Sequence, residues 1–309
     1  MTHRPTDAPL RGIIYMVAGT FLLTSQGAIS KWLLGSIHAG EIMALRSLIA
    51  LPFVLMLLRM EGGDLGTLRS RAPGQSALRA VLALVTTALV ILSFQALPLA
   101  DALAIIYVSP LILTAFSGLI FGEFVSLRRW FATISGFVGV MVIVGPSFDH
   151  VGYWALVPLG AAVASAVRDL VTRRLGSIDP GISILFWSMA LATAAGFATL
   201  PVVGASKPSL PLWGLLVIGA ALLTFSNRLI IAAFACASGA ITAPLKYLTL
   251  VWAAGLDYLV WNDTPEAHKI VGAAIVTVAG LYVWGDETRI QREKTAKIQA
   301  VRLPGAQSG

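Results

Sequence analysis

The sequence predicts an all-α membrane protein whose ten transmembrane helices form two inverted five-helix repeats around a central cavity. Composition is the first observation: 57% of the residues are hydrophobic and 12% are charged, whereas a soluble domain has about 25% charged residues. The second is a series of ten apolar runs, and the third is the duplication of these runs along the chain. Together they indicate a polytopic membrane protein.

Each apolar run is long enough to cross a hydrocarbon core about 30 Å thick as an α-helix. The runs are continuous and do not alternate, which favours helices over a β-barrel, because a helix satisfies its own backbone hydrogen bonds in lipid. We interpret the first run as a retained helix and not as a signal peptide. The predicted spans are 12–34, 40–58, 76–96, 100–121, 128–146, 152–172, 181–203, 210–234, 238–260 and 267–285.

The distribution of positive charge predicts the topology. Segments on the side of the N-terminus carry fifteen Lys and Arg residues, the opposite side carries three, and four fall within spans. We expect the chain to lie in the cell inner membrane. By the positive-inside rule, both termini are then expected in the cytoplasm. Because the charge follows topology, it does not indicate nucleic-acid binding. The fifteen are Arg4, Arg11, Arg59, Arg69, Arg71, Arg79, Arg128, Arg129, Arg173, Arg174, Arg289, Arg292, Lys294, Lys297 and Arg302.

An internal repeat follows from a shift of 140 residues, which lays Ala100–Gly145 over Ala240–Gly285 without a gap and Tyr107 over Tyr247. Since each repeat has an odd number of helices, the second copy enters the membrane from the opposite side. Inverted repeats place a binding site near the midplane, between the halves. The expected segments are a cytoplasmic N-terminus (1–11), repeat 1 (12–146), repeat 2 (152–285) and a basic cytoplasmic tail (286–309) that we expect to be disordered.

Four segments of these repeats resemble the drug/metabolite transporter superfamily, in its ten-helix EamA-type branch. In repeat 1 they are LPLADALAIIYVSPLILT (Leu97–Thr114) and FGEFVSLRRW (Phe121–Trp130). In repeat 2 they are SGAITAPLKYLTLVWA (Ser238–Ala253) and WNDTPEAHKIVGAAIVTVAG (Trp261–Gly280). The resemblance covers nearly the whole chain and implies a basket of ten helices around a central cavity that transports small metabolites.

The chain departs from the family pattern at two places. Many members have a glutamate after the Pro-Leu of the second repeat, where this chain has Lys246, and the usual Gly-Glu of the second turn is Asn262-Asp263. In this respect it is similar to the uptake subgroup that includes riboflavin and S-adenosylmethionine transporters. The resemblance therefore implies riboflavin uptake first, with S-adenosylmethionine uptake and the export of amino acids or drugs as alternatives.

Lys246 is the leading candidate site residue, because an ammonium group inside hydrocarbon costs about 2.5 to 3.5 kcal/mol unless the fold compensates it. Either it faces the cavity and binds a ligand oxygen, or it extends to the interface along its four-carbon stem. Pro244 favours the cavity, since it leaves a helical carbonyl without its usual partner. The repeat pairs Lys246 with Ile106, so we expect a cavity that is asymmetric in charge.

Aromatic and neutral residues supply further candidates. Tyr107 and Tyr247 are expected to face the cavity from equivalent positions and to stack on a flat ligand. Trp187 is another stacking candidate, with contact to lipid or a neighbouring helix as the alternative. Gln26 either binds the ligand or ties helices together, and Pro110 is expected to bend helix 4.

The remaining candidates are charged. Arg46 either faces the cavity or pairs with Glu41, and Arg228 either lines the pore or bonds between helices. Asp257 lies about 16 Å along the helix from Lys246, too far to pair with it, and either acts in coupling or forms an ion pair elsewhere. Arg168 and Asp169, near the inner end of helix 6, are expected to join Arg173 in a structural charge network on the cytoplasmic side.

The residues that catalysis would require are missing. All four histidines lie at termini or connections, and the sequence contains neither His-Glu-x-x-His, Gly-x-Ser-x-Gly nor a Gly-Lys-Ser/Thr phosphate loop. A membrane enzyme is therefore a remote alternative, and no metal or cofactor is expected. The single cysteine, Cys236, allows no intramolecular disulfide. The expected partners are a small-molecule substrate and the lipid bilayer, with a homodimer left open.

Overall fold

A computed structural model describes residues 9–97, 99–121, 125–145, 152–204, 206, 208–261 and 266–302. The described residues form twelve α-helices and two short 3-10 turns, and contain no strand, which confirms the all-α prediction. The helices are α1 (Pro9–Leu33), α2 (Ala39–Met60), α3 (Pro73–Ala96), α4 (Leu99–Ile106), α5 (Ser109–Phe121), α6 (Leu127–Val144), α7 (Leu156–Leu175), α8 (Gly181–Val203), α9 (Leu210–Cys236), α10 (Gly239–Leu245), α11 (Leu248–Trp261) and α12 (Ala267–Arg302). The 3-10 turns are Leu65–Leu68 and Gly152–Ala155.

Among these residues, nine stretches are long and apolar enough to cross a membrane. The remaining predicted span, 238–260, is divided between α10, with 7 residues, and α11, with 14, so neither piece alone has membrane length. Together they make up the expected ten-helix protein.

Two of the predicted spans are broken at equivalent positions. Helix 4 is divided into α4 and α5 at Tyr107–Val108, and helix 9 is divided into α10 and α11 at Lys246–Tyr247. At both breaks the backbone changes to i→i+3 hydrogen bonds, as in Val108 N to Ile105 O (3.0 Å) and Tyr247 N to Pro244 O (3.3 Å). Pro110 and Pro244 lie close to these breaks and cannot donate a backbone hydrogen bond. The expected bend at Pro110 is thus a complete interruption, a few residues earlier.

The helix pairs that pack most closely are related to one another by the internal repeat. The closest pairs are α1 with α9, α2 with α8, α3 with α7 and α6 with α12. The repeat relates the first predicted span (α1) to the sixth (α7), and the third (α3) to the eighth (α9). The pair α1–α9 therefore corresponds to the pair α7–α3. The remaining two pairs exchange into themselves. This arrangement is the one that two inverted five-helix repeats require.

Small residues allow α6 and α12 to touch through their backbones. A Cβ atom added at Gly139 would lie 2.9 Å from the carbonyl oxygen of Gly272, and one added at Gly272 would lie 2.6 Å from that of Gly139. The small residues of GFVGV (136–140, α6) and GAAIVTVAG (272–280, α12) therefore allow close helix packing, as small residues do in membranes. The expectation of a disordered tail is wrong for residues 286–302, because α12 continues as one helix to Arg302.

Candidate functional site

A cavity of about 220 Å³ lies between the two halves of the bundle. The α4–α5 break contributes Ile106 and Tyr107 to its wall, and the α10–α11 break contributes Lys246 and Thr249. Ser109 and Pro110 of α5 and residues of α1, α7 and α9 complete the lining. Because unwound segments expose backbone groups that a continuous helix would satisfy, broken helices are common at the binding sites of inverted-repeat membrane proteins.

Lys246 points into this cavity and forms an ion pair across it. Its Nζ donates to Oδ2 of Asp169 on α7 at 2.5 Å, and the Asp169 side chain is only 5% exposed. Arg168 binds the other oxygen of the same carboxylate, with 3.0 Å between its Nη2 and Oδ1. Two cations therefore share one carboxylate, which leaves a net positive charge on the cavity wall. Asp169 is the compensating group that Lys246 requires.

A third cation lies behind this group. Arg79 on α3 is 6% exposed, and its Nε donates to the Thr172 hydroxyl of α7 at 2.7 Å, while its Nη1 donates to Ser188 of α8. The Thr172 hydroxyl in turn donates to the backbone carbonyl of Arg168 at 2.7 Å, which links Arg79 to the helical turn that carries the cavity pair. The charge count placed Arg79 among the residues that predict topology; the structure shows that its side chain is buried inside the bundle.

The two tyrosines differ although their backbone positions are equivalent. The hydroxyl of Tyr107 lies 3.0 Å from the Thr249 hydroxyl, so this bond joins the two broken helices. The Tyr247 ring is fully buried beside α6, where a Cβ added at Gly136 would lie 2.5 Å from its Cδ2 atom. The ring centroids are 6.2 Å apart at a tilt of 43°. Only Tyr107 belongs to the cavity wall in this conformation.

Arg46 and Gln26 form a second polar group, between α1 and α2. Arg46 Nη1 donates to the Ser30 hydroxyl at 2.8 Å, and Gln26 Nε2 donates to the same oxygen at 2.5 Å. The expected alternative, a pair between Arg46 and Glu41, is not formed: Glu41 accepts from the backbone N–H of Ser206 at 2.9 Å. The Nε of Arg46 is buried without a hydrogen-bond partner among the described residues.

Two other candidates, Arg228 and Trp187, lie away from the cavity wall. Arg228 pairs with Glu61 at the end of α2, with 2.8 Å between Nη2 and Oε1. Trp187 donates its indole N–H to the Leu68 carbonyl at 3.0 Å, in the loop between α2 and α3. Asp257 lies on α11, and its side chain lies outside the described part of the chain.

The sequence did not reveal the hydrogen-bonding partners of Asp169 and Arg173. Asp169 was assigned to a network with Arg173, but Arg173 donates to the Ser117 hydroxyl at 3.1 Å, and Asp169 bonds to Lys246. A buried carboxylate in a span was itself a signal, because it requires a cation from some other helix. Within the described residues, no group of three or more His, Cys, Asp or Glu side chains could hold a metal.

Comparison with known proteins extends this description. Residues 10–145 match the EamA-like transporter family. The chain is 25% identical to a riboflavin transporter of Rhizobium johnstonii, over 91% of this chain and 93% of that protein. It is 26% identical to the pseudopaline exporter CntI of Pseudomonas aeruginosa (87% and 94%) and 25% identical to an S-adenosylmethionine uptake transporter of Rickettsia prowazekii (92% and 96%).

A solved crystal structure has the same fold, with a TM-score of 0.75 over 90% of this chain and 97% of the solved one, at 17% identity. Inverted repeats with a charged cavity at two broken helices are typical of multi-pass membrane transporters, and the matched family and the relatives named above are transporters and not enzymes. Over most of its length the chain resembles EamA-type members of the drug/metabolite transporter superfamily.

Proposed function

We propose that the chain is a secondary transporter that moves a small polar or heteroaromatic metabolite across the inner membrane by alternating access. The observation that carries this proposal is the cavity at which the two broken helices meet, with Lys246, Arg168 and Asp169 on its wall. Inverted repeats bind their ligand between the halves and expose it to each side in turn.

Four hydroxyl groups at the breaks support alternation. The repeat pairs Tyr107 with Tyr247 and Ser109 with Thr249. One of the two equivalent hydroxyl pairs, Tyr107–Thr249, is bonded, whereas Tyr247 Oη and Ser109 Oγ are both buried without a partner among the described residues. Buried unpaired hydroxyls are unfavourable. In the opposite conformation the halves exchange roles, so Tyr247 bonds to Ser109 and the Tyr107–Thr249 bond breaks.

Riboflavin is the first proposed substrate. Its ring carbonyls and its ribityl hydroxyls accept hydrogen bonds, which Lys246 and Arg168 can supply, and the Tyr107 ring offers an aromatic surface to the flat ring system. Arg46, Gln26 and Arg228 are proposed to contact the substrate at other stages of transport, together with Tyr247 and Trp187. Asp257, Pro110 and Pro244 are proposed to act in coupling or gating.

S-adenosylmethionine uptake is the second candidate, because its carboxylate offers a partner to the cations of the cavity wall. Two cations face one carboxylate on the wall, so a ligand carboxylate can bind Arg168 or Lys246 in place of Asp169. The same charge suits the export of amino acids or other carboxylate-bearing metabolites. The relatives named above include uptake transporters and an exporter, so direction must be measured.

Thermal stability of the purified chain with a panel of metabolites tests the substrate directly, because a ligand that binds only the folded state raises the unfolding temperature. We expect riboflavin to raise it, and the Lys246→Met variant to lose the shift. Stabilisation by S-adenosylmethionine alone would transfer the proposal to that substrate. Accumulation of labelled riboflavin by expressing cells tests direction; resistance to toxic amino-acid analogues without accumulation would indicate export.

Orientation and assembly are part of the proposal. We place both termini in the cytoplasm, because the positive charge lies on that side. A cysteine introduced in the 303–309 segment of a Cys236→Ala variant should react with a membrane-impermeant reagent only after the cells are opened. Mass measurement of the protein in detergent will distinguish a monomer from the homodimer that the sequence leaves open.

A further inference from the structure

A groove of about 930 Å³ lies outside the central cavity, where the loop between α2 and α3 meets α8. One end of the groove is cationic, with Arg69 and Arg71 on its wall. The other end is apolar and runs along Ala77 and Ala80 of α3 and Leu191 of α8. The groove therefore has a charged end beside the loop and an apolar end between two membrane-spanning helices.

The two arginines are available to an external anion. Both side chains are exposed, and neither forms an ion pair with any residue in the described ranges. Asp179 is the acidic residue packed against this loop, but its oxygens are already used: Oδ1 accepts from the Arg71 backbone N–H at 2.7 Å, and Oδ2 accepts from the Ser70 hydroxyl. The two guanidinium groups are therefore not paired with the Asp179 carboxylate.

The loop itself is held in place, so the groove has a defined shape. The Leu68 carbonyl accepts from the Ser183 hydroxyl at 2.9 Å and from the Trp187 indole N–H at 3.0 Å, both on α8. Trp187 also lines the groove. These bonds fix the start of the cationic segment against α8, and a site that is ordered before binding loses less conformational entropy when it binds.

We propose that this groove binds an anionic phospholipid. Its phosphate would lie between Arg69 and Arg71, because a guanidinium group binds phosphate oxygens in pairs. An acyl chain would follow the apolar surface formed by Ala77, Ala80 and Leu191 toward the bilayer. Basic pockets between helices at the membrane surface bind anionic headgroups in this way. A soluble phosphate would not use the apolar half, and this distinguishes the two ligands.

The test uses the full chain, purified in a neutral detergent. Phosphatidylglycerol should raise its unfolding temperature by several degrees, whereas phosphatidylcholine with the same acyl chains should have little effect. The Arg69→Gln/Arg71→Gln double variant should bind phosphatidylglycerol about tenfold or more weakly. Arg59→Gln is the matched control, since Arg59 is an exposed arginine at the same end of the bundle that does not line the groove.

Each outcome decides the proposal. Equal stabilisation by phosphatidylcholine, stabilisation by inorganic phosphate alone, or an undiminished shift in the double variant would overturn it. If the double variant fails to fold, Ala77→Phe decides, because a phenyl ring at this exposed position fills the apolar half and should abolish the lipid shift. Retained binding by Ala77→Phe would then contradict the proposal. The central cavity is unchanged in these variants, so failure here leaves the proposed transport intact.

Discussion

The hydroxyl groups of Tyr107 and Thr249 lie 3.0 Å apart and connect the broken helix of one repeat to the broken helix of the other. Thr249 donates its own proton to the Lys246 carbonyl at 2.7 Å, so Tyr107 is the donor in the bond between them. This bond lies directly beside the residue that carries the charge of the cavity. It therefore links the conformation of the break to the site.

Replacing the two tyrosines should shift the conformational equilibrium in opposite directions. Tyr107→Phe removes a bond of about 1 kcal/mol from the conformation described here, and Tyr247→Phe removes its counterpart from the opposite conformation. We expect a population change of about fivefold each way. Distances between spin labels on the two halves measure it. A shift in the same direction for both variants would contradict the exchange of hydroxyl pairs.

Lys246→Met should reduce transport several-fold or more while keeping the fold, because it preserves length and removes the charge from the cavity. Asp169 would then keep Arg168 as its partner, so no buried charge is left unpaired and the loss of stability should be small. Asp169→Asn alone, which leaves Lys246 and Arg168 without a carboxylate, should destabilise the fold more. Transport in proteoliposomes and the unfolding temperature are the measurements. Lys269→Met, at the half-exposed start of α12, is the control and should transport normally.

Arg228→Gln separates substrate binding from a local ion pair. Its partner Glu61 is 40% exposed, and exposed pairs contribute about 1 kcal/mol or less. If Arg228 acts only through this pair, Arg228→Gln and Glu61→Gln should both leave the transport rate nearly unchanged. A proposed role in substrate contact predicts instead that Arg228→Gln raises the apparent KM, whereas Glu61→Gln does not.

The loop between α2 and α3 should lose order at acidic pH. Asp64 caps the turn Leu65–Leu68, and its hydrogen bonds with the Thr67 side chain and backbone lower the pKa of the Asp64 carboxyl. A lowered folded-state pKa means that the stabilisation is present above the unfolded value of about 3.9 and is lost as pH falls through the folded value. Hydrogen exchange at Thr67 should increase over that range. In Asp64→Ala it should already be fast at neutral pH.

Lost packing between α6 and α12 should affect stability. Gly139→Leu places a side chain where the two backbones touch, and overpacking of this kind costs about 1 to 3 kcal/mol or more. We expect a lower unfolding temperature with this variant, measured in detergent. Gly255→Leu is the control, because nothing lies within 4 Å of a Cβ added at Gly255; equal destabilisation by both variants would show that the close contact is unimportant.

The sequence by itself determined the membrane spans and the duplication, and it indicated a bend at Pro110 and an unpaired carbonyl at Pro244. These features depend on local properties: the length of an apolar run, the loss of a backbone donor at Pro110 and Pro244, and the spacing of repeated segments. They could be read without knowing which helices pack together. The prediction of Lys246 as a residue that needs compensation belongs with them, since the cost of a charge in lipid is local.

Only the tertiary structure decided which group compensates that charge. Asp169 lies 77 residues from Lys246 on another helix, and several cations and carboxylates could have met across the bundle. The same holds for Arg79, which lies near a predicted boundary yet is buried between α3, α7 and α8. Tyr107 and Tyr247 are the clearest example. The repeat places them at equivalent positions, but in the folded chain Tyr107 lies on the cavity wall and Tyr247 is buried.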